Sequence, residues 1–197
     1  MKDIWDERFG AKEYAFGREP NAFFKKELDK LPKGKLLLPA EGEGRNAVYA
    51  ASKGWEVVAF DTSVEGLRKA QKLAERAKVS IDYRKADLED FRTELGSFDC
   101  LALIYAHMPF SNRQKIHKRL INYLKEGGVI LLEGFSKNQL SKKSGGPQSE
   151  FLLFSEAEIK EDFEEISELN IQEVETKLSE GKLHKGEASV IRMIGIK

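Results

Sequence analysis

Two glycines and an aspartate carry the strongest chemical signal in the chain. The apolar run Leu36 to Leu38 leads into a loop that contains Gly42 and Gly44, and the next apolar run ends on Asp61. Glycines at the end of a strand let a ligand approach the backbone, and an acid at the end of the following strand can accept both hydroxyl protons of a ribose. This spacing predicts a nucleotide site, although a surface helix-capping role is the alternative for Asp61.

The loop that contains the two glycines is acidic. Glu41 and Glu43 would repel a pyrophosphate that lay on the N-terminus of the following helix, but they suit a cationic ligand. The residues therefore favour a sulfonium-bearing cofactor over a dinucleotide. The spacing of Gly42, Gly44 and Ala47 also satisfies the dinucleotide fingerprint, so an NAD-type oxidoreductase is the principal alternative.

A further acid, Asp87, follows the next predicted strand. It could simply cap the segment that follows it. In a doubly wound sheet, however, the ends of the first strands lie side by side at the ligand crevice, so Asp87 could also accept a hydrogen bond from an adenine amino group.

The elements that must position these residues alternate between strands and helices. Strands are predicted at 36–38, 55–60, 80–83, 98–105 and 129–132, and helices from Pro20 to before Gly34 and at 45–53 and 63–77. A capping box of Ser111 with Gln114 predicts a helix that stops at Gly127-Gly128, and a second box of Ser155 with Glu158 predicts a short helix to Phe163. Segments 169–178 and 188–196 predict a closing antiparallel hairpin. The fold class is α/β: a Rossmann-like, doubly wound, mostly parallel sheet with an antiparallel C-terminal hairpin.

Composition limits the partners. The 197 residues suit one domain, and 33 basic residues balance 33 acidic ones, which gives no general case for nucleic acid or an anionic membrane. The one cysteine, Cys100, excludes a disulfide framework and a cysteine zinc site and favours a reducing compartment. We expect a cytoplasmic protein that acts on a small molecule, with no metal and no membrane span.

Several motifs together resemble one known family, the class I S-adenosylmethionine-dependent methyltransferases, and most closely its tellurite-resistance and thiopurine-type branch. The resemblance covers nearly the whole chain. Its motifs are Leu38 to Asn46, Val58 to Ser63, Lys85 to Leu88, Leu124 to Gly128, Glu133 to Phe135, Glu180 to Gly186 and the N-terminal stretch Tyr14 to Asn21.

The resemblance implies a seven-stranded sheet, S-adenosylmethionine as cofactor, and a set of cofactor-binding positions. By this resemblance the loop 40–44 holds the methionine moiety, Asp61 the ribose, Asp87 and Leu88 the adenine, and Ala106 and His107 line the cofactor after the fourth strand. The full set of positions is Ala40, Glu41, Gly42, Gly44, Asn46, Asp61, Thr62, Asp87, Leu88, Ala106 and His107. Many relatives have an acid where this chain has Leu38 and a glycine where it has Ala40. We therefore expect Glu41 or Glu43 to compensate in binding the methionine ammonium.

Methyl transfer from a sulfonium is an in-line displacement, so a dry pocket that aligns the atoms supplies much of the rate and no dedicated base is required. The sequence identifies no catalytic residue. The candidates for the substrate side are Tyr14, Arg18, His107, His184 and Arg192. Residues 1–33 are expected to form a helical cover over the crevice, and the loop 136–149 is either a lid or a solvated loop.

We therefore predict S-adenosylmethionine-dependent methyl transfer to a small molecule, with a thiol or a metalloid oxyanion as candidate acceptor. Apart from the oxidoreductase, the remaining alternative is a cofactor-binding protein of the same fold that has lost turnover, since a fold alone does not establish function.

Overall fold

A single seven-stranded sheet organises the chain in the computed structural model, which describes residues 2–197. The strands are Lys35–Pro39 (β1), Glu56–Asp61 (β2), Asp82–Lys85 (β3), Phe98–Ile104 (β4), Leu124–Phe135 (β5), Glu168–Glu180 (β6) and His184–Ile196 (β7). Their order across the sheet is β3-β2-β1-β4-β5-β7-β6. Strands β1 to β5 are parallel, and β7 runs antiparallel to both β5 and β6. The predicted fold class and closing hairpin are confirmed.

Six α-helices accompany the sheet in the described part of the chain. They are Lys2–Gly10 (α1), Ala22–Leu28 (α2), Arg45–Ser52 (α3), Val64–Ala77 (α4), Phe110–Ile121 (α5) and Glu156–Asp162 (α6). Successive side chains of β1 point to opposite faces of the sheet, so Leu36 and Leu38 pack with α2, α3 and α4, while Leu37 packs with α5 and α6. The sheet is therefore apolar on both faces, as a doubly wound fold requires.

Several element boundaries differ from the sequence prediction: α2 ends at Leu28, well before Gly34, and β5 begins at Leu124 rather than at Val129. Ser111 does not cap α5: the helix begins at Phe110 after Pro109, without a side-chain capping bond. The helix ends at Ile121 and not at the glycine pair, because Gly127 and Gly128 lie inside β5. Strand β3 occupies 82–85 rather than 80–83. The capping box of Ser155 with Glu158, by contrast, is present with both of its hydrogen bonds.

The loop 136–149 is fastened to the hairpin by a buried glutamine. Gln139 lies in a short 3₁₀ turn, Lys137–Ser141, and is 1% exposed. Its amide nitrogen donates to Ser144 Oγ and to the carbonyl oxygen of Gly145, both at 2.9 Å, and its amide oxygen accepts from the backbone N–H of Ser189 at 2.9 Å. The loop therefore forms a fixed wall beside β7 in this structure.

Helices α3 and α4 approach each other closely at Gly44, which has a φ of +83°. A Cβ at this position would lie 2.5 Å from the Cβ of Ala70 on α4. We expect Gly44→Ala to lower the free energy of unfolding by about 2 to 5 kcal/mol, because left-handed strain and overpacking add.

Gly127→Ala is a matched control for that prediction. Gly127 has a φ of +77°, but no atom lies within 4 Å of the position that its Cβ would take. The control should lose only about 1 to 2 kcal/mol, the cost of the left-handed conformation. Urea unfolding of both variants checks the difference, and equal losses would contradict the packing argument.

Candidate active site

The loop after β1 has the backbone geometry of a ligand cradle. Ala40, Gly42 and Gly44 all have positive φ angles, of 52°, 61° and 83°. This left-handed geometry is rare for a residue with a side chain, so Ala40 stores backbone strain at the end of the strand. The turn places the loop at the carboxyl ends of β1 and β2, where doubly wound folds bind ligands.

Glu41 points into the protein rather than across the crevice. Its Oε1 accepts hydrogen bonds from the backbone N–H groups of Asn46 and Ala47 at 2.7 and 2.8 Å, and its Oε2 accepts from Asn46 Nδ2 at 3.1 Å. The carboxylate therefore satisfies free N–H donors in the first turn of α3. Burial raises the pKa of Glu41 to about 7 in spite of these bonds.

Glu43 is also committed to an internal partner. Its Oε1 lies 2.7 Å from Lys69 Nζ on α4, and both side chains are almost completely buried. Its Oε2 accepts the backbone N–H of Ala15 at 2.7 Å, and Lys69 donates in addition to the carbonyl oxygen of Glu13. The ion pair thus holds the N-terminal segment against α4.

These contacts correct the electrostatic prediction for the loop. The charge of Glu43 is neutralised by Lys69, and Glu41 is bonded to α3. Neither carboxylate forms a free negative rim, so neither is placed to bind a methionine ammonium in this structure. The charge of these two glutamates therefore does not decide between a sulfonium cofactor and a dinucleotide.

Asp61 lies directly across from the cradle. Its Oδ2 accepts the backbone N–H of Gly42 and its Oδ1 accepts the backbone N–H of Ser63, both at 2.9 Å. Burial raises the pKa of Asp61, and these two bonds oppose the rise. Each carboxylate oxygen keeps a further lone pair, which is what a ribose diol needs.

Asp87 fills the capping role in this structure, and its position is compatible with the adenine role that the sequence left open. One carboxylate oxygen accepts the backbone N–H of Glu89 at 3.1 Å, which is the capping role. Asp87 and Leu88 also follow β3, the strand that pairs with β2, so they lie on the same edge of the sheet as Asp61. Thr62 lies on the same edge, immediately after Asp61.

The N-terminal segment covers the cradle. Phe9 on α1 is 2% exposed, and its ring lies 3.0 Å from where a Cβ of Gly42 would be. The Asp6 carboxylate accepts from Ser63 Oγ at 2.5 Å and from the backbone N–H of Glu65 at 3.2 Å. Helix α1 is thereby fixed to the start of α4, over the predicted crevice.

Two predicted ligand contacts are instead structural. Both ring nitrogens of His107 are bonded: Nδ1 lies 2.7 Å from the carbonyl oxygen of Leu152, and Nε2 accepts from the backbone N–H of Phe135 at 3.1 Å. Burial lowers the pKa of His107 to about 4, so the ring is neutral near pH 7. Tyr14 donates to the carbonyl oxygen of Lys69 and packs on α4. Both ring nitrogens of His107 are thus occupied, whereas the Tyr14 oxygen can still accept a hydrogen bond, and Ala106 is buried in the core beside His107.

A buried polar network lies at the carboxyl end of β5. Asn21 Nδ2 donates to both Glu133 Oε1 at 2.6 Å and Glu180 Oε1 at 2.9 Å. Arg192 Nε donates to Glu133 Oε2 at 2.6 Å, and Arg45 Nη2 donates to Glu180 Oε2 at 2.9 Å. Two carboxylates and two guanidiniums therefore balance, with the Asn21 amide between them.

The same network includes His184 and reaches the cradle. Burial alone would raise the pKa of Glu180, but the hydrogen bond from His184 and the charge of Arg45 outweigh it and lower that pKa to about 2. Burial lowers the pKa of His184, so its ring is neutral near pH 7 with Nδ1 directed at Glu180, 3.4 Å away. Asn46 connects the network to the cradle, because its Oδ1 accepts the backbone N–H of Asn21 at 2.9 Å.

Sequence reasoning missed the central members of this network. Asn21, Arg45, Glu133 and Glu180 were part of the motifs that carry the family resemblance, but no role followed from them. A signal was present for Glu133, since an acid at the end of the apolar run Val129 to Leu132 must be paired if the strand is buried.

Two of the predicted substrate residues line a cleft next to the network. Arg18 and Arg192 border a space of about 260 Å³ between segment 16–22 and strands β5 to β7. Glu133 and Glu180 are also in its wall. The cleft therefore lies beside the carboxyl end of β5, with Asn21 in its wall.

The sequence of this region matches known proteins. Residues 39–128 match the family model described as a methyltransferase domain. The matched segment runs from the cradle through Asp61 and Asp87 into β5, and it covers a little under half of the chain. The match shows that residues 39–128 resemble a methyltransferase domain, as the sequence predicted for this segment.

Curated relatives align over a similar part of the chain. An uncharacterized protein of Mycobacterium tuberculosis is 30% identical over 96 residues, which are 49% of this chain and 35% of that protein. The mitochondrial 2-methoxy-6-polyprenyl-1,4-benzoquinol methylase of Leishmania donovani is 31% identical over 99 residues, 50% of this chain and 34% of that protein. The chain spans about a third of the length of the curated relatives it matches.

Solved structures resemble the whole chain. TehB from Haemophilus influenzae superposes with a TM-score of 0.73 at 16% identity, over 100% of this chain and 66% of that one. A S-adenosylmethionine-dependent methyltransferase from Clostridium acetobutylicum superposes with a TM-score of 0.67 at 17% identity, over 98% and 96%. At this level of identity the likeness shows the fold. No helix in the described part of the chain is long and apolar enough to span a membrane.

The raised pKa of Glu41 predicts a pH-dependent stability. The pKa of Glu41 is about 7 in the folded state, whereas the ordinary pKa of a glutamate is 4.5. The folded state therefore keeps a proton that the unfolded state has lost, and the free energy of unfolding should fall as the pH rises from 4.5 to about 7. The contribution of Glu41 to this decrease in the free energy of unfolding should reach up to about 3 kcal/mol and should not grow further above pH 7.

Glu41→Gln should remove that contribution. We expect the difference in unfolding free energy between wild type and Glu41→Gln to change across the interval, measured by urea titration at several pH values. The exposed residue Glu94 offers a control, since Glu94→Gln should keep the wild-type profile. Parallel curves for wild type and Glu41→Gln would contradict the inward, buried position of the carboxylate.

Proposed function

We propose that the protein transfers a methyl group from S-adenosylmethionine to a small molecule, and that residues 1–197 act as one catalytic domain with 1–33 as a cover over the crevice. The observation that carries the proposal is the alignment of a strained cradle at 40–44 with Asp61 and Asp87 on adjacent strand ends, within the segment that matches a methyltransferase domain. S-adenosylmethionine supplies an electrophilic methyl group when bound.

The chain fits this cofactor at two points. Gly42 and Gly44 give the cradle its left-handed turn, and Asp61 offers two oxygens with free lone pairs. Asp87 and Leu88 are assigned to the adenine and Thr62 to the ribose edge. Because Phe9 lies against Gly42, we infer that α1 moves aside when the cofactor enters.

The residues around the acceptor have a limited chemical task. In-line displacement at a sulfonium needs alignment and exclusion of water more than proton transfer. The N-terminal cover and the fixed loop 136–149 supply the exclusion. His184 is held by Glu180 and does not line the cleft beside Glu133, so no general base is assigned to the acceptor.

The cleft beside Glu133 supports a small molecule as the acceptor. Its volume of about 260 Å³ suits a small molecule. Thiols and metalloid oxyanions are the acceptors we propose first. The shared fold with TehB favours including the tellurite-resistance branch among the candidates.

Calorimetry tests the cofactor assignment. S-adenosylhomocysteine, the demethylated product, should bind far more tightly than NAD. Equal or reversed affinities would favour the oxidoreductase. A screen of thiols, phenols and selenium and tellurium oxyanions with labelled methyl donor then tests turnover, and cofactor binding without methylation of any of them would favour a non-catalytic binding protein.

Asp61→Ala should weaken S-adenosylhomocysteine binding by about 1.5 to 3 kcal/mol, because hydrogen bonds to a charged acceptor are lost. It should also lower stability, since the N–H groups of Gly42 and Ser63 lose their partner. Asp90→Ala, at an exposed position, is the control and should change neither quantity. Unchanged affinity in Asp61→Ala would mean that the carboxylate only closes the loop.

A further inference from the structure

The Arg192 side chain borders two neighbouring clefts. It lies on β7, opposite Glu133 of β5 and Gln172 of β6. It borders both the cleft beside Glu133 and a second space of about 200 Å³ between α2 and the outer strands. Ala22 is the other residue that borders both. The two clefts therefore meet at the Arg192 side chain.

The orientation of the Arg192 guanidinium is fixed on one edge only. Nε donates to Glu133 Oε2 at 2.6 Å, and the guanidinium carbon lies 5.4 Å from the centre of the Phe23 ring. Within residues 2–197, neither terminal nitrogen has a hydrogen-bond partner, and the side chain is 24% exposed. A planar, oriented pair of N–H donors therefore faces the clefts.

The charges around the clefts favour an anion. Glu133 and Glu180 are already balanced by Arg192 and Arg45. Arg18 and Lys177 also line the cleft beside Glu133, and no ion pair to either occurs among the described residues. Glu19 is the one acid in that wall outside the network, so the exposed lining carries an excess of one positive charge.

We propose that the methyl acceptor carries a carboxylate or phosphate group, separate from its nucleophilic atom, and that the free Nη edge of Arg192 binds this group. The proposal rests on the proposed methyltransferase function and specifies its substrate class, favouring thiols that carry an anionic group over metalloid oxyanions. A guanidinium fork matches two oxygens of such a group, which a lysine cannot reproduce. The nucleophile then lies towards Glu133 and the cradle, and the remainder of the molecule extends into the second cleft.

Benzoate and benzyl alcohol are matched probes for this site, since they differ in the anionic group. Protein-observed NMR titration, with and without saturating S-adenosylhomocysteine, measures both affinities. We expect benzoate to bind the wild type at least about tenfold more tightly than benzyl alcohol, the scale of a charge-assisted bidentate bond. Shifts should centre on the amides of Ala22, Ser179 and Gly181.

Arg192→Lys keeps a positive charge beside Glu133 but removes the fork. It should weaken benzoate about tenfold and leave benzyl alcohol unchanged. Lys177→Gln, at an exposed position, should weaken benzoate about two- to threefold and keeps the test decisive if Arg192→Lys unfolds. Lys185→Gln is the matched control, because Lys185 is exposed and outside both clefts.

Three results would overturn the proposal: no preference for benzoate in the wild type, no binding of either compound, or a preference that survives both Arg192→Lys and Lys177→Gln. Failure of S-adenosylhomocysteine to bind would instead contradict the methyltransferase function. The benzoate titration in the absence of S-adenosylhomocysteine still decides whether Arg192 binds an anion.

Discussion

The amide of Asn21 is the contact on which the arrangement of the whole site depends. Two carboxylates, Glu133 and Glu180, are buried at the carboxyl end of the sheet, and buried charges are tolerated only when they are paired and hydrogen-bonded. One NH₂ group joins both carboxylates, and Arg45 and Arg192 balance their charge. This requirement ties the N-terminal segment, the start of α3 and the closing hairpin together. The N-terminal segment consequently borders both the cradle and the cleft beside Glu133, with α1 over the cradle and residues 16–22 in the wall of the cleft.

The loop of Glu41 and Glu43 lies at the expected place in the fold, but its two carboxylates do not have the electrostatic role that the sequence suggested. Glu41 and Glu43 lie where the ligand crevice was expected, yet one caps α3 and the other is paired with Lys69. Their charge organises the protein and does not present a free negative surface to a sulfonium. The preference for S-adenosylmethionine over a dinucleotide now rests on the match of residues 39–128 to a methyltransferase domain. The pair Glu43–Lys69 has a different consequence, because it fixes Ala15 and so holds the cover closed.

The sequence predicted local features better than long-range contacts. The order of strands and helices, the hairpin and the box of Ser155 with Glu158 follow from periodicity and turn residues, which are local properties. Ser111 has the same local pattern as Ser155, but the N-cap of α5 is Pro109, two residues earlier, and Ser111 lies inside the helix. The role of His107 depends on Leu152 and Phe135, and that of Glu133 depends on Asn21 and Arg192. Contacts between residues so distant in the chain cannot be obtained from one sequence by spacing alone.

A crystal structure with bound S-adenosylhomocysteine tests the central claim most directly, because the claim concerns where the ligand lies. The account predicts the ribose on Asp61, the adenine beside Asp87 and Leu88, and the sulfur directed past Asn21 towards the cleft at Glu133. It also predicts that Phe9 is displaced from Gly42 during entry and that segment 16–22 remains on the network. A ligand bound away from the cradle, or a sulfur directed away from Glu133, would contradict it.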